Sequence, residues 1–189
     1  MKADDPEELV RPAVDGTVGV IKSIKKYNKD IKRVVVTSSV AAVLNNKDAP
    51  YSYTESDWNE WATPECKEKG KEASGAAKYL SSKTEAEKAA WAECKDALEL
   101  VTINPCIIYG PILHECDSPE KLNTSVAKFY GLYHGQVKES DLPGGGSDYV
   151  DVRDGACFST FCRSKWRDKQ LTYFHLPSAY QSPTPTSLR

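Results

Sequence analysis

The chain has 189 residues, of which 40% are hydrophobic and 28% are charged, and its formal net charge is −2 at pH 7. This length is typical of one domain, and this composition is typical of a soluble globular protein. Lysine and glutamate are interleaved along 67–99 without a block of like charge, which argues against a surface for nucleic acid.

The sequence offers no sign of a membrane segment or a metal site. No window approaches the roughly 18 apolar residues that a membrane span requires. The acidic N-terminus lacks the apolar core of a signal peptide. The six cysteines form no Cys-x-x-Cys pair and do not lie at metal-site spacing from the three histidines. We therefore expect a cytoplasmic protein with free thiols, no metal and no membrane partner.

The first half of the chain is predicted to form a helix, a strand and a long loop. Apolar residues recur at steps of three and four through 6–27, which predicts an amphipathic helix. The β-branched run at 31–37 predicts a buried parallel strand. The segment 44–76 is polar and contains proline and glycine, which predicts a long loop.

The second half begins with a helix predicted over 77–96, where the composition strongly favours helix. A second strand is predicted over 98–103 and ends at Asn104-Pro105. The apolar pattern then continues through Ile107 and Ile108.

The remainder is predicted to contain two more helices, one around 121–134 and one over 152–164. Gly144-Gly145-Gly146 lies between them and predicts a flexible turn. The segment 177–189 is rich in proline, serine and threonine, which predicts disorder.

This order of helix, strand, helix, strand and helix indicates an α/β fold with parallel strand pairing. Only two strands are convincing in the sequence. Two parallel strands are too few for a stable sheet with helices on both faces. We therefore expect the chain to be part of a larger fold.

Tyr79 and Lys83 are the first candidate functional residues. Their spacing places them on one helix face with Cβ atoms about 5–6 Å apart. A nearby ammonium stabilises the phenolate form of a phenol, and a phenol so placed can exchange a proton with a carbonyl oxygen. The pair alone is a weak indication, because surface helices often carry a lysine beside a half-buried tyrosine.

Ser38 and Ser39 are the second candidate, because they follow the predicted strand at 31–37 directly. Ligands of open α/β sheets bind at the carboxyl ends of the strands, where a serine hydroxyl can hold a carbonyl oxygen. Either serine fits this role, and a plain strand-end turn or helix cap is the commoner use of such a pair. The order of the serine pair, the tyrosine–lysine pair and Asn104-Pro105 along the chain favours a catalytic site.

A set of segments occurs in one order over residues 5–155, and each carries a recognisable motif. These segments are 5–6, 12–17, 34–43, 53–58, 79–91, 102–111, 122–125 and 149–154. In this order they resemble the extended short-chain dehydrogenase/reductases. Within that family they are most similar to the dihydroflavonol-4-reductase-like branch, which includes the fungal NADPH-dependent methylglyoxal and aldehyde reductase type.

The resemblance implies an incomplete Rossmann-like NAD(P)-binding parallel sheet with flanking helices. The first four strands and most of the C-terminal substrate lobe would be absent. Residues 1–160 would form the C-terminal half of the NAD(P)-binding domain with part of the substrate region. Residues 161–189 would be a divergent, partly disordered tail.

The resemblance also implies an oxidoreductase that uses NADPH to reduce a small aldehyde or ketone. Ser39 would hold the substrate carbonyl, Tyr79 would donate the proton, and Lys83 would bind the ribose hydroxyls of the cofactor. Pro105 to Ile108 would lie against the nicotinamide, with Ile108 offering a backbone contact. Ser125 would approach the cofactor phosphates, although packing and helix-cap roles are equally open for Ile108 and Ser125.

The chain departs from this family in one respect that affects cofactor binding. It contains no Gly-x-x-Gly-x-x-Gly turn, whose glycines let the backbone approach a pyrophosphate at a helix N-terminus. We therefore expect very weak NADPH binding by this chain on its own.

Two other functions remain open. The chain could be a catalytically inactive remnant that acts as a binding module, or a relative of the NAD-dependent sugar epimerases and dehydratases. The second is less favoured, because 40–45 contains neither an acidic residue beside the serine pair nor Val-Tyr-Gly. The substrate itself is open among small aldehydes, ketones and 2-oxoaldehydes.

Overall fold

The computed structural model describes residues 3–47, 51–95, 97–138, 149–164 and 172–174. In chain order, these residues form α1 (Glu7–Tyr27), β1 (Arg33–Thr37), α2 (Ala62–Lys69), α3 (Gly75–Cys94), β2 (Glu99–Pro105), β3 (Ile107–Tyr109), α4 (Thr124–Tyr133), β4 (Tyr149–Asp151), α5 (Val152–Ser164) and β5 (Thr172–Phe174). The predicted helices at 6–27, 77–96, 121–134 and 152–164 and the predicted strand at 31–37 correspond closely to these elements. The Gly144-Gly145-Gly146 turn and the tail 177–189 lie outside the described residues.

All described strand pairs are parallel, as the order of elements predicts. The larger sheet has the strand order β1-β2-β5, and β1 and β2 pair with Val34 opposite Leu100 and Thr37 opposite Ile103. A smaller sheet pairs β3 with β4, and Ile108 lies opposite Val150. Because β1 and β2 run in the same direction, their carboxyl ends meet at one edge of the sheet.

The expectation of only two strands was too low. β3, β4 and β5 are each three residues long, and each acquires its strand geometry from a partner distant in the sequence. β2 also continues through Asn104 to Pro105, beyond its predicted end at 103. Segments this short carry too few residues to show the alternation by which strands are recognised.

Side chains of β1 and β2 alternate between two apolar layers, as the pleat of a strand requires. On one face, α1 and α3 pack on the sheet around the buried residues Ile21, Ala90, Cys94 and Leu100, with Val34, Val36, Trp91 and Leu98 at the margin. On the opposite face, α5 contributes Cys162 and Phe158 against Val35, Val101 and Ile103. β2 is therefore covered on both faces, and its side chains are buried from Leu100 to Pro105.

The predicted loop at 44–76 is wrong in its second half, where α2 forms. The side-chain Oδ1 of Asn59 accepts a hydrogen bond of 2.9 Å from the amide of Ala62, the first residue of α2. Ala62 and Cys66 then pack against Ala73 and Ala77 in a separate small cluster. This helix is hard to recognise in the sequence, because the residues that α2 buries are small and lie among charged ones.

One buried lysine holds the start of the chain against α3. The Nζ atom of Lys78 donates to the backbone carbonyls of Ala3 (3.1 Å), Asp4 (2.7 Å) and Lys71 (2.9 Å). Only 5% of Lys78 is exposed, so these three carbonyls replace the water that the ammonium loses. The segment before α1 and the turn after α2 are thereby attached to the helix residue that precedes Tyr79.

Replacing Lys78 by methionine is expected to lower the free energy of unfolding by roughly 2–3 kcal/mol. The variant keeps most of the side-chain volume and loses hydrogen bonds from a charged donor, which are among the stronger ones in proteins. Chemical denaturation of the chain measures the change. Lys71→Met is the matched control, because the Lys71 side chain is exposed and its carbonyl remains. Equal stability of both variants would contradict this role for Lys78.

Candidate active site

Helix α3 presents Tyr79 and Lys83 side by side. The helix starts at Gly75 because Oγ of Ser74 accepts the amide of Ala77 at 3.0 Å, which caps its first turn. Both side chains are half-buried, and the Nζ atom of Lys83 lies 5.8 Å from the centre of the Tyr79 ring. The i, i+4 spacing thus brings a phenol and an ammonium to one face of the helix.

Ser39 lies just beyond the carboxyl end of β1 and begins a short helical turn, Val40–Ala42, that packs against α3. Its backbone is extended, and its Oγ accepts the amide of Ala41 at 3.2 Å. This contact uses an oxygen lone pair and leaves the hydroxyl proton for another acceptor. In the described part of the chain, the Ser39 hydroxyl proton has no acceptor.

Both the amide and the hydroxyl of Ser38 are hydrogen-bonded within the protein. Its amide donates to the carbonyl of Ile103 at 2.7 Å, and its hydroxyl donates to Oε2 of Glu87 on α3. The two adjacent serines therefore differ in what they can offer a ligand. Of the pair, Ser39 is the residue whose hydroxyl proton is available.

Glu87 is a buried carboxylate that sequence reasoning did not single out as functional. Besides the Ser38 hydroxyl, it accepts the Thr102 hydroxyl at 3.1 Å, the Asn104 amide at 2.8 Å and the indole N–H of Trp91 at 3.5 Å. A usable signal was present in the sequence. Glu87 follows Lys83 by four residues, so the two lie on the same face of the helix. Ala86 and Ala90 flank Glu87, and a carboxylate among such small apolar residues needs a hydrogen-bond or ion-pair partner.

Asn104 and Pro105 complete the carboxyl end of β2. Asn104 is fully buried, and its Nδ2 also donates to the carbonyl of Ser39 at 3.0 Å. Its Oδ1 has no hydrogen-bond partner among the described residues. Pro105 is buried as the last residue of β2, and Ile108 is 38% exposed in the middle of β3. Asn104 meets Ser39 at one end of the larger sheet because β1 and β2 are parallel, whereas Ile108 belongs to the smaller sheet of β3 and β4.

Ser125 lies in the first turn of α4, which packs against β3. Its hydroxyl donates to Oδ1 of Asn123 at 3.3 Å, and the same oxygen accepts the amide of Val126 at 3.0 Å. Asn123 is therefore the cap of this helix, and Ser125 supports it. A contact between Ser125 and a cofactor phosphate stays a prediction.

The loop from Tyr51 to Asp57 is held together by the Asp57 carboxylate. Asp57 accepts the Tyr51 hydroxyl at 2.5 Å, the Thr54 amide at 2.6 Å and the Thr54 hydroxyl at 3.0 Å. The hydrogen bond from Tyr51 is the main reason that the pKa of Asp57 is lowered, and both Thr54 contacts act in the same direction. Trp58 then contacts α3, where the Nζ atom of Lys88 lies 5.5 Å from its ring centre.

In the described ranges, no group of three or more histidine, cysteine, aspartate or glutamate side chains could hold a metal ion. No helix there is long and apolar enough to span a bilayer. A cytoplasmic location stays a prediction.

Comparison with known proteins identifies similar sequences and structures. The family model described as "Male sterility protein", an NAD-binding model, matches residues 3–142. The chain is 37% identical over 162 residues to the NADPH-dependent methylglyoxal reductase Gre2 of Saccharomyces cerevisiae, with 81% of this chain and 46% of that protein covered. It is also 37% identical over 158 residues to a cinnamoyl-CoA reductase of Medicago truncatula, with 80% and 43% covered. The chain thus spans about half the length of the curated relatives it matches.

Solved structures show the same partial coverage. Gre2 from Candida albicans in complex with NADPH matches with a TM-score of 0.73 and 32% identity, over 92% of this chain and 52% of that one. Vestitone reductase from alfalfa matches with a TM-score of 0.65 and 27% identity, over 87% and 49%. These similarities confirm the predicted α/β, Rossmann-like fold class.

Acidification is expected to loosen the segment around Asp57. Because its pKa is lower in the folded chain than its usual value near 3.9, its stabilising contribution is present above that value. The contribution is lost as the pH falls through the lower folded pKa. NMR of the Thr54 amide should therefore show a shift and faster exchange below about pH 4. Asp57→Asn removes the titrating group, and a step that persists in this variant would exclude Asp57 as its cause.

Proposed function

Because the chain belongs to the NAD-binding family described as male sterility protein, within the extended short-chain dehydrogenase/reductases, we propose that it carries the proton-donating part of a carbonyl-reducing site. NADP(H) is the cofactor of its relatives. The substrate proposed for this site is a small aldehyde or ketone. Methylglyoxal is a suitable first test compound, because a relative with 37% identity is named for its reduction.

The placement of Tyr79 and Lys83 on α3 is the observation that carries this proposal. α3 is hydrogen-bonded, through Glu87, to Ser38 at the end of β1 and to Asn104 at the end of β2. Tyr79 and Lys83 therefore lie on a helix that is hydrogen-bonded to the carboxyl ends of the strands, where open α/β sheets bind ligands. A tyrosine and a lysine that merely lay on the protein surface would not need a helix joined to the strand ends by the buried hydrogen bonds of Glu87.

In the proposed reaction, the hydroxyl of Ser39 donates a hydrogen bond to the carbonyl oxygen and orients the substrate. Tyr79 transfers its hydroxyl proton to that oxygen as negative charge develops there, which yields the alcohol. NADPH, when bound, supplies the hydride that the carbonyl carbon gains. The Lys83 ammonium stabilises the phenolate that remains on Tyr79.

The residues present fit one end of the cofactor. Among the described residues, Lys83 forms no ion pair, so its ammonium is available for the ribose hydroxyls. Ile108 offers an exposed apolar side chain for the nicotinamide, whereas Pro105 is buried and its contact with the nicotinamide stays a prediction. A glycine turn for the pyrophosphate is not part of the 189-residue sequence.

Replacing Tyr79 by phenylalanine is expected to abolish the proton transfer and little else. The test uses a chimera in which the first half of Candida albicans Gre2 precedes this chain. Oxidation of NADPH with methylglyoxal and a panel of small aldehydes and ketones should slow about 10²- to 10⁴-fold in Tyr79→Phe. Tyr27→Phe, at an exposed tyrosine on α1, is the matched control and should keep full activity. Undiminished reduction by Tyr79→Phe would refute the assigned mechanism.

The cofactor should bind the chimera and not the 189-residue chain alone. The reason is that pyrophosphate binding needs backbone amides presented by a glycine-rich turn at a helix N-terminus. Titration of NADPH fluorescence with each protein measures the affinity. Micromolar binding by the chain alone would mean that its own residues hold the pyrophosphate. An NADPH-binding chimera without reductase activity would favour the alternative of an inactive binding module.

A further inference from the structure

Glu87 is a buried charge at the contact between α3 and the sheet. It is only 2% exposed, and it lies four residues after Lys83 and eight after Tyr79 on the helix. It packs with the polar side chains of Ser38, Thr102 and Asn104 in an otherwise apolar layer. Polar groups this deeply buried are retained only where their hydrogen bonds are made.

All four side chains that contact the Glu87 carboxyl group can donate a hydrogen bond to it. Asn104 Nδ2 and Trp91 Nε1 can only donate, and they contact different oxygens, Oε2 and Oε1 respectively. The Ser38 and Thr102 hydroxyls add one donor to each of these oxygens. An ionised carboxylate, which only accepts, satisfies all four donors.

Asn104 extends the effect of Glu87 to the backbone of Ser39. Its Nδ2 is shared between Glu87 Oε2 at 2.8 Å and the Ser39 carbonyl at 3.0 Å. Turning the amide over would give its lone Oδ1 new surroundings but would break both contacts. Asn104 therefore leaves its Oδ1 without a partner among the described residues, which is unfavourable, and in return its Nδ2 holds Ser39 in place.

We propose that Glu87 is a positioning residue, which fixes the ends of β1 and β2 against the helix carrying Tyr79 and Lys83. By taking the hydroxyl of Ser38, it also determines that Ser39 is the serine left to bind the substrate oxygen. This inference rests on the proposed reductase function for its kinetic consequence. Its structural part, the coupling of the serine turn to α3, stands on the contacts alone.

Two conservative variants separate positioning from plain burial of a side chain. Glu87→Gln keeps one carbonyl oxygen, which can remain at Oε2 for Ser38 and Asn104. Its amide then faces Thr102, whose hydroxyl can reverse and accept, and only the long 3.5 Å contact with the Trp91 indole N–H is lost. Glu87→Asp keeps the charge but is one methylene shorter, so it cannot reach the strand ends from α3. We therefore expect Gln to preserve the site and Asp to disrupt it.

Hydrogen exchange of the 189-residue chain tests the structural part. In Glu87→Asp, the amides of Ser38, Ala42 and Val43 should exchange roughly tenfold faster, because the loss of charge-assisted hydrogen bonds lets the turn open. Glu87→Gln should match the parent chain. Glu85→Ala, which removes a helix carboxylate bonded to Thr63 instead, is the control and should leave these amides unchanged. Unchanged exchange in Glu87→Asp would overturn the proposal.

Kinetics of the chimera test the consequence for catalysis. Glu87→Asp should lower kcat about 100-fold with little change in the KM for NADPH, because a misplacement of about 1 Å has this effect on reacting groups. Glu87→Gln should restore most of the rate. Thr102→Val removes a donor to the same carboxylate away from the strand ends, so it should lower thermal stability without lowering kcat.

The outcomes distinguish this inference from the function it rests on. An inactive parent chimera would reject the reductase function, and the exchange result would still decide the coupling. An active chimera in which Glu87→Asp keeps its kcat would reject the positioning role. A fall in kcat that tracks melting temperature equally across Asp, Gln and Thr102→Val would also reject it, because stability alone would then explain the loss.

Discussion

The carboxylate of Glu87 adds hydrogen bonds between α3 and the carboxyl ends of β1 and β2, where the helix and the sheet otherwise pack through apolar side chains. Dispersion and burial hold α3 on the sheet, but such contacts do not fix the positions of individual polar side chains. The hydrogen bonds from Ser38 and Asn104 to Glu87 fix them, since each requires a defined donor position. The distance between the serine turn and the helix bearing Tyr79 and Lys83 therefore depends on this one buried charge.

The surrounding packing makes such a contact possible. Ala77 and Ala90 are fully buried on α3, so the helix lies close to its neighbours. β2 is covered on both faces, and the parallel pairing with β1 brings Ser39 and Asn104 to the same edge. Fold and site are thus linked: the same strand register that builds the core sets the polar residues opposite Glu87.

Periodicity and local composition predicted α1, β1, α3 and most of β2, because each has a pattern long enough to recognise. α2 was missed, since its buried stripe is made of Ala62 and Cys66 rather than large apolar residues. β3 to β5 were missed because their pairing is nonlocal. For the site, the i, i+4 rule correctly predicted that Tyr79 and Lys83 are neighbours. The different environments of Ser38 and Ser39 depend on Glu87, which is 49 residues from Ser38, and local sequence cannot show such a contact.

This chain matches about half the length of relatives that are named as NADPH-dependent reductases. We propose that its polar residues form the proton-donating end of such a site. The most direct measurement is a crystal structure of the chimera with NADP⁺ and a substrate-like ketone. We expect the ketone oxygen to lie within about 3.2 Å of both Ser39 Oγ and Tyr79 Oη. We also expect Ser38 still to donate to Glu87. A ketone oxygen bound to Ser38, or one distant from Tyr79, would contradict the proposed site.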